Sequence, residues 1–371
     1  GNTMVNEKRL LDTFLEYIKI DSESKNEKAM GEKLVADLKA LGLEVKTDKA
    51  GEGFGSNGFN VYAYLPGTLP GDPTIMCAHM DTVVPGNGVN PSIKDGVIYT
   101  DGKTVLGGDD KSGIAAIMEA VRVILEKDLP HRSTEILFTI GEEGGMQGAK
   151  NMDYGMLKGK EAMIFDASGE IGKVLTCGPG QIKINATVTG RSSHAGLAPE
   201  AGISAIQVAA KGIAKMNLLR IDEETTCNIG TLKSEYATNI VPEKATLVAE
   251  VRSRNLDKLN AQAAHMKQCL EEACQEMGAQ LEIDLATNYV SFQVENDDDL
   301  VKRVFDSCGR LGYQASTDKG GGGSDANVMA LHGIKPIVLA TGMTKVHTTS
   351  ETLKVEDLNK CAELILDLMT H

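Results

Sequence analysis

The chain has 371 residues, of which 42% are hydrophobic and 4% aromatic, with no tryptophan and a net charge of −14. The acidic balance argues against nucleic acid as a partner, because phosphate binding needs clustered Lys and Arg. No run approaches the ~20 apolar residues of a membrane span. The cysteines at 77, 177, 227, 269, 274, 308 and 361 are odd in number, irregularly spaced and form no CxxC pair. That argues against a disulfide framework and for a reducing, cytoplasmic setting.

The first half alternates helix and strand patterns. Lys8–Ile20 carries Leu10, Leu11, Phe14, Leu15 and Ile18 as an apolar helical face, and Ala29–Leu41 reads as a second helix closed by Gly42. The short apolar run Thr74–Ala78 leads into His79. Ser112–Glu126 reads as a buried helix. Ser133–Ile140 reads as a strand ending at Gly141-Glu142, and Ala162–Phe165 as another ending at Asp166. Strands separated by helices predict a mainly parallel sheet covered on both faces, a three-layer α/β domain.

After Gly178-Pro179-Gly180 the pattern changes. Gln181–Thr189 alternates as a half-exposed strand, Ala201–Met216 is a helix, and Thr226–Lys233 and Ala245–Val251 are strands. Asn255–Met277 is a long helix with Asn255 as N-cap, and Gln280–Ala286 is a strand. The order β-α-β-β-α-β is that of a two-layer, ferredoxin-like split βαβ unit. Residues 180–288 are therefore expected to form an inserted α+β domain, with 1–179 and 289–371 making up the discontinuous first domain. The remainder resumes the first pattern: a helix at Asp299–Leu311, a glycine-rich loop at 319–325, a strand at Ile337–Ala340 and a closing helix at Val355–Met369.

Acidic and imidazole groups recur where these strands end. His79 and Asp81 are two apart, so both point to one side of a strand end, and Asp81 can orient the His79 ring. Asp109-Asp110 opens a helix, where a carboxylate is stabilised by the helix N-terminus. Adjacent Glu142 and Glu143 repel unless a cation or proton intervenes; if one binds metal, the other is free to take a proton from water. Asp166 ends a strand, and His347 sits in a polar loop after one. Each signal alone is weak, with ordinary caps, turns and surface residues as the alternatives. Together they fall on one expected edge of one sheet, where sites in open α/β sheets lie. The 320–323 glycines lack the spacing and following Lys of a phosphate loop.

On these motifs the chain resembles the di-zinc aminoacylase, peptidase T and carboxypeptidase G metallopeptidase family, and within it the peptidase T branch. The resemblance covers nearly the whole chain. It implies that His79 and Asp166 bind one metal ion and Glu143 and His347 a second. Asp109 would bridge them, with a cis bond to Asp110. Asp81 would orient His79, and Glu142 would be the general base. The ions would be zinc, with cobalt or manganese as alternatives. Arg191-Ser192-Ser193-His194-Ala195-Gly196 resembles the family's lid motif, whose His stabilises the oxyanion, in dimeric relatives from the partner subunit. Asn239, Arg252, Gly322 and Gly323 match segments that contact substrate, and the inserted domain is the place for a possible homodimer contact.

The function this resemblance implies is metal-dependent hydrolysis of short peptides, releasing the N-terminal residue of di- and tripeptides. Asp rather than Glu at 166 favours an aminopeptidase by analogy. The alternatives are a deacylase or carboxypeptidase of the same clan, acting on N-acyl amino acids, and a non-catalytic binding protein that kept the fold.

Overall fold

The structure, a computed structural model, describes residues 3–371. The described residues fall into two compact units, one of residues 3–177, 293–320 and 324–371, the other of 178–292 with 321–323. In the first, four strands lie side by side in the order Thr134–Thr139, Thr74–His79, Glu161–Ala167 and Lys335–Ala340, all parallel. Antiparallel strands flank them: Val61–Leu65 and then Glu44–Thr47 on one side, Lys173–Gly178 on the other. Every residue of Thr74–His79 and Thr134–Thr139 is buried, which requires cover on both sheet faces, as in a three-layer α/β fold.

Helices Glu7–Ile18, Gly108–Lys127 and Val355–Thr370 pack against one another, and Asp299–Leu311 packs on Val355–Thr370. Their apolar faces share one core in which Phe14, Ile117, Val121, Leu300 and Ile365 are fully buried. Leu11 and Leu15, assigned to the same face as Phe14, are only partly buried at its margin. The helix expected from Ser112 begins at Gly108, with Asp109 and Asp110 outside helical φ/ψ. The strands Glu44–Thr47, Val61–Leu65, Pro91–Lys94 and Val97–Thr100 carried no clear expectation, being short and mostly without a strict period of two.

The second unit is an antiparallel sheet in the order Leu219–Arg220, Thr225–Lys233, Lys244–Ser253, Gly180–Thr189, Gln280–Tyr289. Helices Ala205–Lys215 and Leu256–Met277 pack on it, burying Ile184, Leu247, Met266 and Leu270 in one cluster and Val188, Val208 and Ala273 in another. Asn255 caps the long helix by accepting the Lys258 N–H at 3.0 Å. The shorter helix starts at Ala205 rather than Ala201, because Pro199–Ala201 forms a separate 3-10 turn and Ser204 supplies the cap. All seven cysteines are buried, and no helix among the described residues is long and apolar enough to cross a membrane.

One glycine shapes the turn that follows the Thr134–Thr139 strand. A Cβ on Gly148 would lie 2.0 Å from the Ile140 carbonyl oxygen, so the backbone itself would have to move. Gly148→Ala is expected to cost about 2 kcal/mol or more, read as a lower denaturation midpoint. An unchanged midpoint would show that this turn tolerates displacement.

Candidate metal centre

Parallel strands end together, and that brings distant residues to one edge. His79 is the last residue of Thr74–His79, and Asp166 lies one residue before the end of Glu161–Ala167. Glu142 and Glu143 follow Thr134–Thr139, and His347 follows Lys335–Ala340. Asp109 enters from the start of Gly108–Lys127. Their donor atoms form overlapping groups. His79 Nε2 lies 2.9 Å from Asp109 Oδ1 and 3.4 Å from Asp166 Oδ1. His347 Nε2 lies 3.0 Å from Asp109 Oδ2 and 2.6 Å from Glu143 Oε2. Asp109 thus presents one oxygen to each imidazole. A further grouping, His79 with Glu142 and Glu143, has Glu142 Oε2 3.7 Å from His79 Nε2. The Asp109–Asp110 peptide bond is cis, as the resemblance implies, and His347 holds a left-handed φ of 67°.

Behind these donors stand acceptors that hold their backbones. The Asp81 carbonyl accepts the His79 Nδ1–H at 2.9 Å, leaving Nε2 to face the carboxylates. The Asp81 carboxylate accepts the N–H of Glu142 at 3.0 Å, the N–H of Glu143 at 3.1 Å and the Ser24 hydroxyl at 2.6 Å. Buried Glu27 accepts the Gly141 N–H at 2.8 Å. Asp110 accepts the His79 N–H at 3.2 Å. Asp325 accepts the Thr139 hydroxyl at 2.6 Å. The roles of Ser24, Glu27, Asp110 and Asp325 were not read from the sequence, where each is an ordinary polar residue in a loop or helix start.

The electrostatics follow from burial. Burial, then the charge of Asp166, pushes the Glu142 carboxyl well above the usual carboxylate range, and burial does the same to Asp166 itself. Asp109 moves the other way: burial opposes its ionisation, but hydrogen bonds from His347 and His79 outweigh it. For His79, burial would lower the pKa, yet Asp166, Glu142 and Asp109 carry it well up. Hydrogen bonds to Asp109 and Glu143 raise His347 to about 10.

Residues 75–371 match the model of Peptidase family M20/M25/M40. The chain belongs to that family. It is similar to the uncharacterised protein YqjE of Bacillus subtilis, with 41% identity over 99% of each chain. Two solved structures are alike throughout. One is an aminopeptidase PepT from Bacillus cereus, 43% identical, covering 99% of each chain with a TM-score of 0.93. The other is a tripeptidase from Staphylococcus aureus, 38% identical, covering 99% of this chain and 98% of that one, with a TM-score of 0.95.

The remaining candidate residues of this M20 peptidase lie in its second unit. His194 is exposed, and its Nδ1 accepts the N–H groups of Gly196 and Leu197, each at 3.0 Å, so the neutral ring carries its proton on Nε2. The Asn239 carbonyl accepts the Ala195 N–H at 2.8 Å, tying the two loops together. Arg252 is bonded to Glu250, and a Cβ on Gly322 would lie 3.6 Å from its Nη1. A Cβ on Gly323 would lie 2.5 Å from the Tyr289 ring, so only glycine fits there.

The donor set of the first unit fits divalent cations. Four carboxylates and two imidazoles crowd together, and the buried Oδ1 atoms of Asp110 and Asp325 have no hydrogen-bond partner among the described residues. The carboxylates that face each Nε2 favour a proton there, and a cation would compete for the same place. Because both histidines have raised pKa values, cation binding must expel protons, and affinity must rise with pH. Adding zinc to metal-free protein at pH 7 in weak buffer is expected to acidify the solution. Binding without proton release would contradict the assignment.

Proposed function

We propose that this M20 peptidase is a di-metal aminopeptidase that releases the N-terminal residue of di- and tripeptides. The observation that carries the reading is the pair of donor groups sharing Asp109, each of its oxygens turned to a different imidazole. His79, Asp166 and one oxygen of Asp109 would hold the first ion; His347, Glu143 and the other oxygen of Asp109 the second. Zinc suits imidazole and carboxylate donors, and cobalt and manganese accept the same set. When bound, the ions polarise the scissile carbonyl and bring the pKa of water from about 15.7 toward 7.

The chain's own residues supply the rest. Glu142 is buried beside Glu143; without cations burial and the neighbouring carboxylates raise its pKa, and bound cations would offset that charge and leave it a carboxylate. Its carboxylate accepts a proton from water as the water oxygen adds to the carbonyl carbon. It then delivers that proton to the leaving nitrogen as the C–N bond breaks. Glu143 is paired with His347, so the adjacent glutamates divide the work between base and ligand. The exposed Nε2–H of His194 is the donor offered to the oxyanion, a contact of a kind worth about 3–4 kcal/mol. Arg252 would bind the substrate carboxylate through its fork. The aminopeptidase and tripeptidase similar to this chain, together with Asp at 166, favour a substrate with a free amino terminus.

Glu142→Gln is expected to retain metal and lose activity by about 10²–10⁴-fold. Near-normal turnover would remove Glu142 from the role of base. A panel of free, N-blocked and C-blocked di- and tripeptides, run beside N-acyl amino acids, tests the substrate class. Cleavage of the unblocked di- and tripeptides alone is expected. Preference for N-acyl amino acids would move the chain to the deacylases.

A further inference from the structure

Glu351 lies in the segment that carries His347, yet its side chain reaches a different part of the site. It is 1% exposed. Its Oε1 accepts the N–H groups of Leu106 at 2.8 Å and Gly107 at 2.9 Å. Its Oε2 accepts the N–H of Asp109 at 2.9 Å. Three donors on the loop that presents Asp109 therefore end on one carboxylate. A buried carboxylate is costly without partners; burial still raises Glu351 to about 7, and the three hydrogen bonds to the charged form offset part of that cost. The anchor is firm. Thr352–Lys354 follows directly and pairs with Val97–Thr100, and the Thr100 hydroxyl donates to the Thr349 carbonyl at 3.3 Å.

We propose that Glu351 is a positioning residue that makes the Asp109 loop and the His347 loop one rigid piece, and so sets the spacing of two donors to the same cation. Asp109 Oδ2 and His347 Nε2 stand 3.0 Å apart. The two residues come from stretches far apart in sequence, and the Glu351 clasp spans them. The requirement is for a carboxylate rather than for any polar group. In Glu351→Gln the amide oxygen can serve Leu106 and Gly107 or Asp109, but not both. The amide NH2 then faces an N–H donor, and the loop must shift. A donor displaced behind the ligands of a metal typically costs about 10–100-fold in affinity or activity. The inference rests on the reading of the site as a di-metal centre.

The test compares the full-length parent and Glu351→Gln, both metal-free, by zinc titration against a competing chromophoric chelator and by thermal melting. The expected result is a folded variant that loses about 10–100-fold in zinc affinity at one site or both, since Asp109 belongs to both donor groups. Parent-like affinity for both ions in folded Glu351→Gln overturns the inference and leaves the di-metal reading intact. So does a lower melting temperature with unchanged zinc affinity, since that is a stability role alone. A parent that binds no zinc defeats the di-metal reading itself. Should Glu351→Gln fail to fold, hydrogen exchange on the metal-free parent decides. Protection of the Leu106, Gly107 and Asp109 amides is expected, and exchange at unprotected rates overturns the clasp.

Discussion

The site depends on carboxylates that are forced together. Unit charges ~4 Å apart repel by about 4 kcal/mol at an effective dielectric constant of 20, and several acidic groups here share one neighbourhood. Without cations the repulsion is relieved by shared protons: burial and neighbouring charge raise the Glu142 and Asp166 carboxyls, and the facing carboxylates raise both imidazoles. Divalent ions relieve it better, because each replaces protons at several donors at once. The fold makes the crowding unavoidable by ending parallel strands side by side.

Holding such a cluster open needs a second layer, and that layer is itself acidic. Asp81 catches successive N–H groups of Glu142 and Glu143, Glu27 catches that of Gly141, and Glu351 catches three on the Asp109 loop. These carboxylates hold main-chain N–H groups, and Asp81 Oδ1 also lies 3.2 Å from His79 Nδ1. They fix where the ligand-bearing loops run. The donors thus gain their geometry from main-chain hydrogen bonds, which are indifferent to the identity of the side chain being presented.

This division explains what is legible in the sequence. The parallel sheet can be read because buried strands such as Thr74–His79 are continuous apolar runs, and the donors announce themselves by standing at the ends of such runs. The split βαβ unit can be read because Gly180–Thr189 alternates and Asn255 is a strong cap. Glu27 and Ser24 cannot be read, since a residue whose partner is a distant backbone N–H, as for Glu27, or a distant carboxylate, as for Ser24, leaves no local pattern. Glu351 sits in a polar stretch whose visible feature is His347. Short strands such as Pro91–Lys94 and Thr352–Lys354 escape the sequence pattern because they are edge pieces with little apolar content. Apolar periodicity puts the start of the Gly108–Lys127 helix too late, because Asp109 and Asp110 depart from helical geometry where the site needs them.

In the second unit, His194 and Arg252 are held by neighbours of their own. Two backbone N–H groups fix the His194 tautomer, and Glu250 holds the Arg252 guanidinium. Neither arrangement bears on whether cations are present, so the central claim is tested in the first unit. Anomalous diffraction at the zinc edge from crystals grown with zinc tests it most directly. The account predicts two peaks in one cavity, one beside His79 and Asp166 and the other beside His347 and Glu143, with Asp109 between them. No peak there, or a lone ion away from Asp109, would contradict it.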